Sequence, residues 1–382
     1  MKLIIEDEVM KKLEPKMSEC AELIKKNLHE GSPVIIRFND DVDGITAGLA
    51  IYEGIMGYAR TEGIKLAGGR VKTIQTSSPF YEKVELVHDL ELRKQFSKKP
   101  LVIICDYGAN EESVENLSKI KSAGFILVVI DHHPHAKEIK ETADTFISPF
   151  LVGGNSDYST GLLAVQIALE LWEGVNKNLA WFSLQGDKSV FAKEKGFSFK
   201  EPVAIDYVAN EVPKENNLGA YEKLLADKEA LERNYEKAMN KIKWILDNCN
   251  RFSKVRNVEG VRVVVVKMGK LCKKGEYPSK GKGLNFISEQ FIKKCNGALI
   301  CIGYGDDTIS IRANAEAYEK GFRSSRIIRK LRGEYGWAIK SGGGHEQAAS
   351  IRMNESLVGK AVETILELTA EEITISKPPP EK

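Results

Sequence analysis

The stretch VIIRFNDDVDGITAGLA (residues 34–50) decides the fold. A short apolar run, Val34–Phe38, stops at a knot of Asn and Asp, and a helical pattern begins at Gly44. The arrangement recurs twice. In LVIICDYGAN (101–110) an apolar run is followed by Asp106 and Gly108, and then by a helical pattern over 110–123. In FILVVIDHHPH (125–135) the apolar run ends in Asp131, His132 and His133. Uniformly apolar strands alternating with helices predict a parallel sheet covered on both faces. Ligands of such sheets lie outside the carboxyl ends of the strands, and here each of these ends carries acids or histidines.

Helical patterns follow at 161–173 and 176–184, leading to Gln185, Gly186 and Asp187. Residues 214–249 are charged, helix-forming and almost free of Gly, which reads as a helical connector, whole or broken in two. A second α/β region begins near Val261, with strands expected at 261–266, 298–302 and 308–312 and helices at 284–294 and 323–331. SGGGHEQAAS (341–350) then precedes a final helix over 355–373. The expected class is α/β: a parallel-sheet domain (1–205), a long helical connector (206–258), a smaller α/β domain (259–374) and a disordered tail (375–382).

Composition narrows the function. The 382 residues are 42% hydrophobic, enough for ordinary cores, and the net charge is +2, so any basic surface must be a local patch. No apolar run approaches the ~18 residues of a membrane helix, and the start lacks a signal-peptide core. Six scattered cysteines contain no CxxC pair, which argues against a zinc ribbon or a disulfide framework. A cytoplasmic globular protein that engages no membrane is expected.

Asp41, Asp43, Asp106, Asp131, His132, His133 and Asp187 are the chemistry-bearing residues. If the sheet forms as described, the first three groups converge on one edge, where carboxylates repel unless a cation or proton neutralises them. Two divalent ions ~4 Å apart share a carboxylate, generate hydroxide and clamp an in-line displacement at phosphorus. Mixed carboxylate and imidazole donors favour Mn²⁺ over Mg²⁺. The plainer account is that each strand-end Asp merely caps the next helix. That account is weakest at Asp131–His135, which holds three of the six histidines.

DDVDG, CDYGAN, IDHHPH, LQGDKS and SGGGH resemble, in order, the motifs of the DHH/DHHA1 phosphoesterase superfamily, and most closely its archaeal RecJ-like single-strand exonucleases. The resemblance implies a DHH catalytic domain and a DHHA1 substrate-binding domain, and a two-metal exonuclease acting on single-stranded DNA or RNA. It assigns Asp41 to one metal, Asp43 to the other, and Asp106 to a bridge between them. His132 joins Asp187 on the second ion, His133 lies beside the substrate phosphate, and Asp131 orients its neighbours. Many members carry a His ahead of DxDG; this chain reads Arg37-Phe38-Asn39-Asp40, leaving the Asn39 carbonyl or the Asp40 carboxylate as a substitute ligand. The same superfamily includes nanoRNases, cyclic-dinucleotide phosphodiesterases and non-catalytic replisome scaffolds associated with GINS, which supply alternative readings.

Within the second region the resemblance implies a phosphate-binding loop at Gly342, Gly343, Gly344 and His345, with Arg312 contacting substrate phosphate. Bare glycines let backbone N–H groups approach an anion closely. Arg323, Arg326, Arg329 and Arg332 recur every three residues, as a phosphate track or a solvated helix face. Lys267, Lys270, Lys273, Lys274, Lys280 and Lys282 form a basic Gly-containing loop, and Tyr304 and Trp337 are candidates for base stacking.

Overall fold

The computed structural model describes residues 2–66, 69–344 and 346–375; His345 and most of the expected tail, 376–382, lie outside them. The chain divides into two compact units, Met1–Tyr235 and Glu236–Lys382.

The first unit opens with α1 (Glu8–His29), β1 (Val34–Asn39), α2 (Val42–Thr61), β2 (Val71–Thr76) and α3 (Lys83–Lys94). It continues through β3 (Leu101–Cys105), α4 (Glu111–Ser122), β4 (Ile126–Ile130), α5 (Ile139–Thr142) and β5 (Thr145–Ile147). The five strands form one sheet in the order β2-β1-β3-β4-β5, and every pairing is parallel. Alternate strand residues serve two cores, as two-sided burial requires. Ile36, Phe38, Ile103, Cys105, Val128 and Ile130 pack in one core. Ile35, Val102, Ile104, Leu127 and Val129 pack in the other, with Leu86 and Leu92 of α3 and Leu117 and Ile120 of α4.

Register places the strand ends level. Phe38 pairs with Cys105, and Cys105 with Ile130, so the residues that follow, Asn39, Asp106 and Asp131, emerge side by side at the carboxyl edge. Five helices complete this part of the chain: α6 (Thr160–Leu171), α7 (Asn178–Gly186), α8 (Val190–Lys195), α9 (Glu201–Val208) and α10 (Leu218–Ala226). The helix-forming stretch 214–249 is broken: Asp227 takes an extended conformation, and its carboxylate accepts from the amides of Glu229 and Ala230 to start α11 (Lys228–Asn248). Leu218, Tyr221 and Leu224 of α10 belong to the first unit's core, and the division between units falls inside α11.

A charged network lies within the α3-facing core. Arg37 of β1 is 1% exposed, and its Nε and Nη2 donate to the two oxygens of Asp89 at 2.8 and 2.6 Å. Nη1 donates to Glu85 at 3.2 Å, the Tyr81 hydroxyl donates to Asp89 at 2.6 Å, and the Tyr107 hydroxyl donates to Glu85 at 3.0 Å. Burial opposes ionisation of Asp89, but Arg37 outweighs it and holds this carboxyl below its ordinary value.

The second unit contains β6 (Ser253–Val258), β7 (Val261–Lys267), α12 (Lys280–Lys294), β8 (Leu299–Gly305), β9 (Thr308–Ala313) and α13 (Ala315–Glu319). It ends with α14 (Ser324–Tyr335), β10 (Ile339–Gly344), β11 (Ala348–Met353) and α15 (Glu355–Ile375). Its six-stranded sheet runs β10-β11-β9-β8-β7-β6, with β7 and β8 parallel and the other neighbours antiparallel. Two expectations are corrected here. Gly342, Gly343 and Gly344 belong to edge strand β10, not to a loop, and pair with Ile351, Ser350 and Ala349. A Cβ on Gly342 would stand 2.5 Å from the Ile351 side chain, so close packing against β11 accounts for that glycine. Lys280 and Lys282 lie in the first turn of α12, capped by Ser279, and not in a basic loop.

Candidate active site

The carboxyl edge of the parallel sheet gathers acids and imidazoles from distant parts of the chain. Asp43, in the first turn of α2, is 1% exposed. Its Oδ2 accepts from the Thr160 amide at 2.8 Å, and its Oδ1 accepts from the Gly161 amide at 2.6 Å and from the Ser183 hydroxyl. Asp43 therefore sits on the N-terminus of α6, where unpaired amides and the helix dipole favour an anion. Asp41 caps α2, accepting from the Gly44 amide at 3.1 Å.

Asp106 leaves β3 with φ 67°, a left-handed conformation that Asp tolerates better than most residues. Its Oδ1 accepts from the Thr160 hydroxyl at 3.3 Å, while Oδ2 is buried with no hydrogen-bond partner among the described residues. Asp131 accepts from the amide and Nδ1 of His133 at 3.0 and 2.8 Å, and from the Ala109 amide at 3.1 Å. This pairing fixes His133, which remains 41% exposed.

His132 is the pivot. Its Nδ1 lies 2.8 Å from the Ser156 carbonyl oxygen, which can only accept, so the ring proton resides on Nδ1. Its Nε2 then faces Asp43 at 3.6 Å, Asp106 at 3.5 Å and Asp187 at 3.5 Å. Asp187, which follows α7, likewise has Oδ2 buried without a hydrogen bond among the described residues. Carboxylates gathered this closely repel one another unless a cation or a proton lies between them. Two donor groups could hold one: Asp106, His132 and His133, and Asp43, His132 and Asp187. Within each, the donor atoms lie within 4.8 Å of one another. Orphaned buried carboxylate oxygens grouped around an imidazole nitrogen fit a divalent metal.

The titrations carry the same signature. Burial, and then the charges of Asp41, Asp43 and Asp187, push the Asp106 carboxyl well above its ordinary value. Burial, followed by Asp43 and Asp41, does the same to Asp187. Asp131 goes the other way: burial disfavours its charge, but His133 holds its carboxyl low. Burial likewise opposes a charged His133, yet Asp131 pushes it up to about 9. Such divergent shifts within one cluster are typical of sites that do chemistry.

Of the other candidates, Asn39 and the adjacent Asp40 share this edge and the rest belong to the second unit. Asn39 stands at the end of β1, with its side-chain oxygen accepting from the Asp40 amide at 2.8 Å, and Asp40 pairs with Lys214 at 3.0 Å. In the second unit, Arg312 donates through Nε to Asn285 at 2.5 Å and through Nη1 to the Ile311 carbonyl at 2.8 Å, with no carboxylate partner among the described residues. Arg326 pairs with Glu372 at 3.4 Å, and Arg323 packs on Tyr318 with its guanidinium 3.4 Å from the ring centroid. Tyr304 is partly buried on β8, and Trp337 is 77% exposed.

Sequence reasoning missed Thr160, Gly161, Ser183 and Ser156, which hold Asp43, Asp106 and His132. Gly161 opens α6 in the run YSTG, a faint signal. A Cβ there would meet Ser183 Cβ at 2.5 Å and Thr46 Oγ1 at 2.6 Å. Gly161→Ala is expected to lose about 1–3 kcal/mol through overpacking and to displace the Asp43 carboxylate. Chemical denaturation of the purified variant checks this, and an unchanged midpoint would refute it.

Residues 33–185, which contain this entire cluster except Asp187, match the model of the DHH family, N-terminal domain. The chain carries a DHH-family domain. An uncharacterized protein of Methanocaldococcus jannaschii is 26% identical over 418 residues, taking in 96% of this chain; the chain spans only 55% of that relative's length. The solved DHH domain of a member of the s1p family of ribosomal proteins is 26% identical, with a TM-score of 0.86 over 97% of this chain and 94% of that one. The exonuclease RecJ bound to manganese shares the fold at 15% identity, with a TM-score of 0.64 over 94% of this chain and 96% of that one. All the donor residues described above except Asp187 thus lie within the DHH domain proper, and Asp187 follows it by two positions.

Proposed function

We propose that this chain is a divalent-metal-dependent phosphodiesterase that removes nucleotides from the ends of single-stranded DNA or RNA. The observation that carries this reading is Nε2 of His132 facing three carboxylates, two of which hold buried oxygens without hydrogen bonds among the described residues. The DHH domain supports a phosphoesterase, and the RecJ structure of the same fold was bound to manganese.

Asp41, Asp43, Asp106, His132 and Asp187 would hold Mn²⁺ or Mg²⁺. Bound there, the metal would polarise a phosphoryl oxygen and supply a nucleophile from water at neutral pH. The protein's own groups do the rest. The α6 amides and Ser183 lock Asp43 in one rotamer, and Ser156 fixes the tautomer of His132. Asp131 fixes the His133 ring and raises its pKa, so this partly exposed imidazole can donate to the scissile phosphate and offset its developing charge. In the second unit, Arg312 offers a guanidinium that no carboxylate neutralises among the described residues.

End-labelled single-stranded DNA and RNA, incubated with Mn²⁺, should be shortened stepwise by wild type and left intact by Asp43→Ala or in the presence of a chelator. Cleavage surviving in Asp43→Ala would place the chemistry elsewhere. Activity confined to oligomers of about 5 nucleotides, with strands of about 30 untouched, would replace the exonuclease with a short-oligonucleotide hydrolase.

A further inference from the structure

The second unit contains a pocket of about 390 Å³ lined by Asn240, Lys241, Trp244 and Ile245 of α11 and by Lys270–Lys273, Glu276 and Tyr277 of the segment before α12. Its floor is apolar: Ile245, Leu271, Cys272 and Tyr277 are each no more than 6% exposed. Trp244 on its wall is 51% exposed, so part of its indole surface is open to a ligand. Three lysines share the rim with a single glutamate. Glu276 stands 3.9 Å from Lys241 and 3.7 Å from Lys273, loose exposed pairings that contribute little. Lys270 is exposed and makes no ion pair among the described residues.

An aromatic face beside excess positive charge, over an apolar floor, suits a flat aromatic group that carries an anion. The volume falls within the ~300–1,000 Å³ typical of small-ligand pockets. We propose that this pocket binds a nucleotide, with its base against Trp244 and its phosphate at Lys270 and Lys273. That combination of stacking and lysine neutralisation is how single-stranded nucleic acid is held without regard to sequence. The nucleotide is either free or one link of a strand, and the chemistry of recognition is the same. The site uses none of the acids of the first unit, so it stands whether or not those acids perform hydrolysis.

The test is binding to the full chain with chelator present, so that no cleavage intervenes. One probe is a fluorescein-labelled oligothymidylate read by anisotropy, and the other is 5′-AMP read by calorimetry. Trp244→Ala should weaken the oligonucleotide about 5- to 100-fold, the range that loss of one stacked base produces. Lys270→Glu, at an exposed position that leaves the core untouched, should weaken it as well and lower the salt dependence by about 0.7 in logarithmic slope. Circular dichroism confirms that both variants remain folded. Loss confined to the oligonucleotide identifies a strand contact, and loss for both probes identifies a pocket that also takes the free nucleotide. Wild-type affinity for both probes in both variants overturns the proposal.

Discussion

Asp106→Asn is expected to make the metal-free protein more resistant to heat while lowering Mn²⁺-dependent cleavage about a thousandfold. The two effects share a cause. The Asp106 carboxylate is buried against Asp41, Asp43 and Asp187, with one oxygen lacking any hydrogen bond among the described residues. Without metal that charge is a cost, and an isosteric amide removes it. A gain of about 1–2 kcal/mol would raise the midpoint by roughly 2–8 °C. With metal the same carboxylate would be a donor, and a thousandfold rate loss corresponds to about 4 kcal/mol of transition-state stabilisation. The pH dependence follows in sign. A carboxyl raised in the folded state retains its proton above about pH 4, where the unfolded chain has released it. The metal-free wild type therefore loses stability as pH climbs through the raised values of Asp106 and Asp187, and the variant loses less. Scanning calorimetry in chelator across pH, paired with a cleavage assay, reads both arms. A less stable variant in chelator would show that the cluster is not under electrostatic strain, and a fully active one would remove Asp106 from the reaction.

Asp89→Ala should carry the largest stability penalty in the first unit. Its carboxylate takes two N–H groups of Arg37 and the hydroxyl of Tyr81, all beyond reach of water. Truncation leaves the buried guanidinium with only the longer pairing to Glu85, and breaking such buried pairs typically destabilises by about 3–5 kcal/mol. For a domain of this size the midpoint should fall by about 6–20 °C in a thermal melt. Replacing the whole set of charges, as in Arg37→Met with Asp89→Leu and Glu85→Gln, should recover much of the loss, because no charge is then left uncompensated. A single variant that melts with wild type would show that the network contributes nothing to stability.

The parallel sheet and the convergence of its acids were legible because both depend on local pattern. Leu101–Ile104 and Phe125–Ile130 are apolar throughout, Val34–Phe38 is apolar but for Arg37, and each is followed by residues with metal chemistry. Strand β2 escaped notice because Val-Lys-Thr-Ile-Gln-Thr is an edge strand with mixed polarity; its buried Gln75 is satisfied by Asn217 and Tyr221, far along the chain. Arg37 read only as the absence of a histidine, since nothing local reveals that Asp89 will meet it. Thr160, Gly161, Ser156 and Ser183 act largely through backbone amides, a carbonyl and plain hydroxyls, which every sequence has in abundance. The glycines of β10 misled for the opposite reason: three in a row suggest freedom, whereas Gly342 at least is set by its tight fit against the neighbouring strand.

His132 belongs to both donor groups, yet an imidazole nitrogen has one lone pair to give. If two ions load, they cannot be equivalent. The ion that takes Nε2 is anchored, while its companion keeps only the remaining donors and exchanges more readily with solvent. A calorimetric titration with manganese should then resolve two unequal steps, and slow dialysis against chelator should strip the weaker ion first.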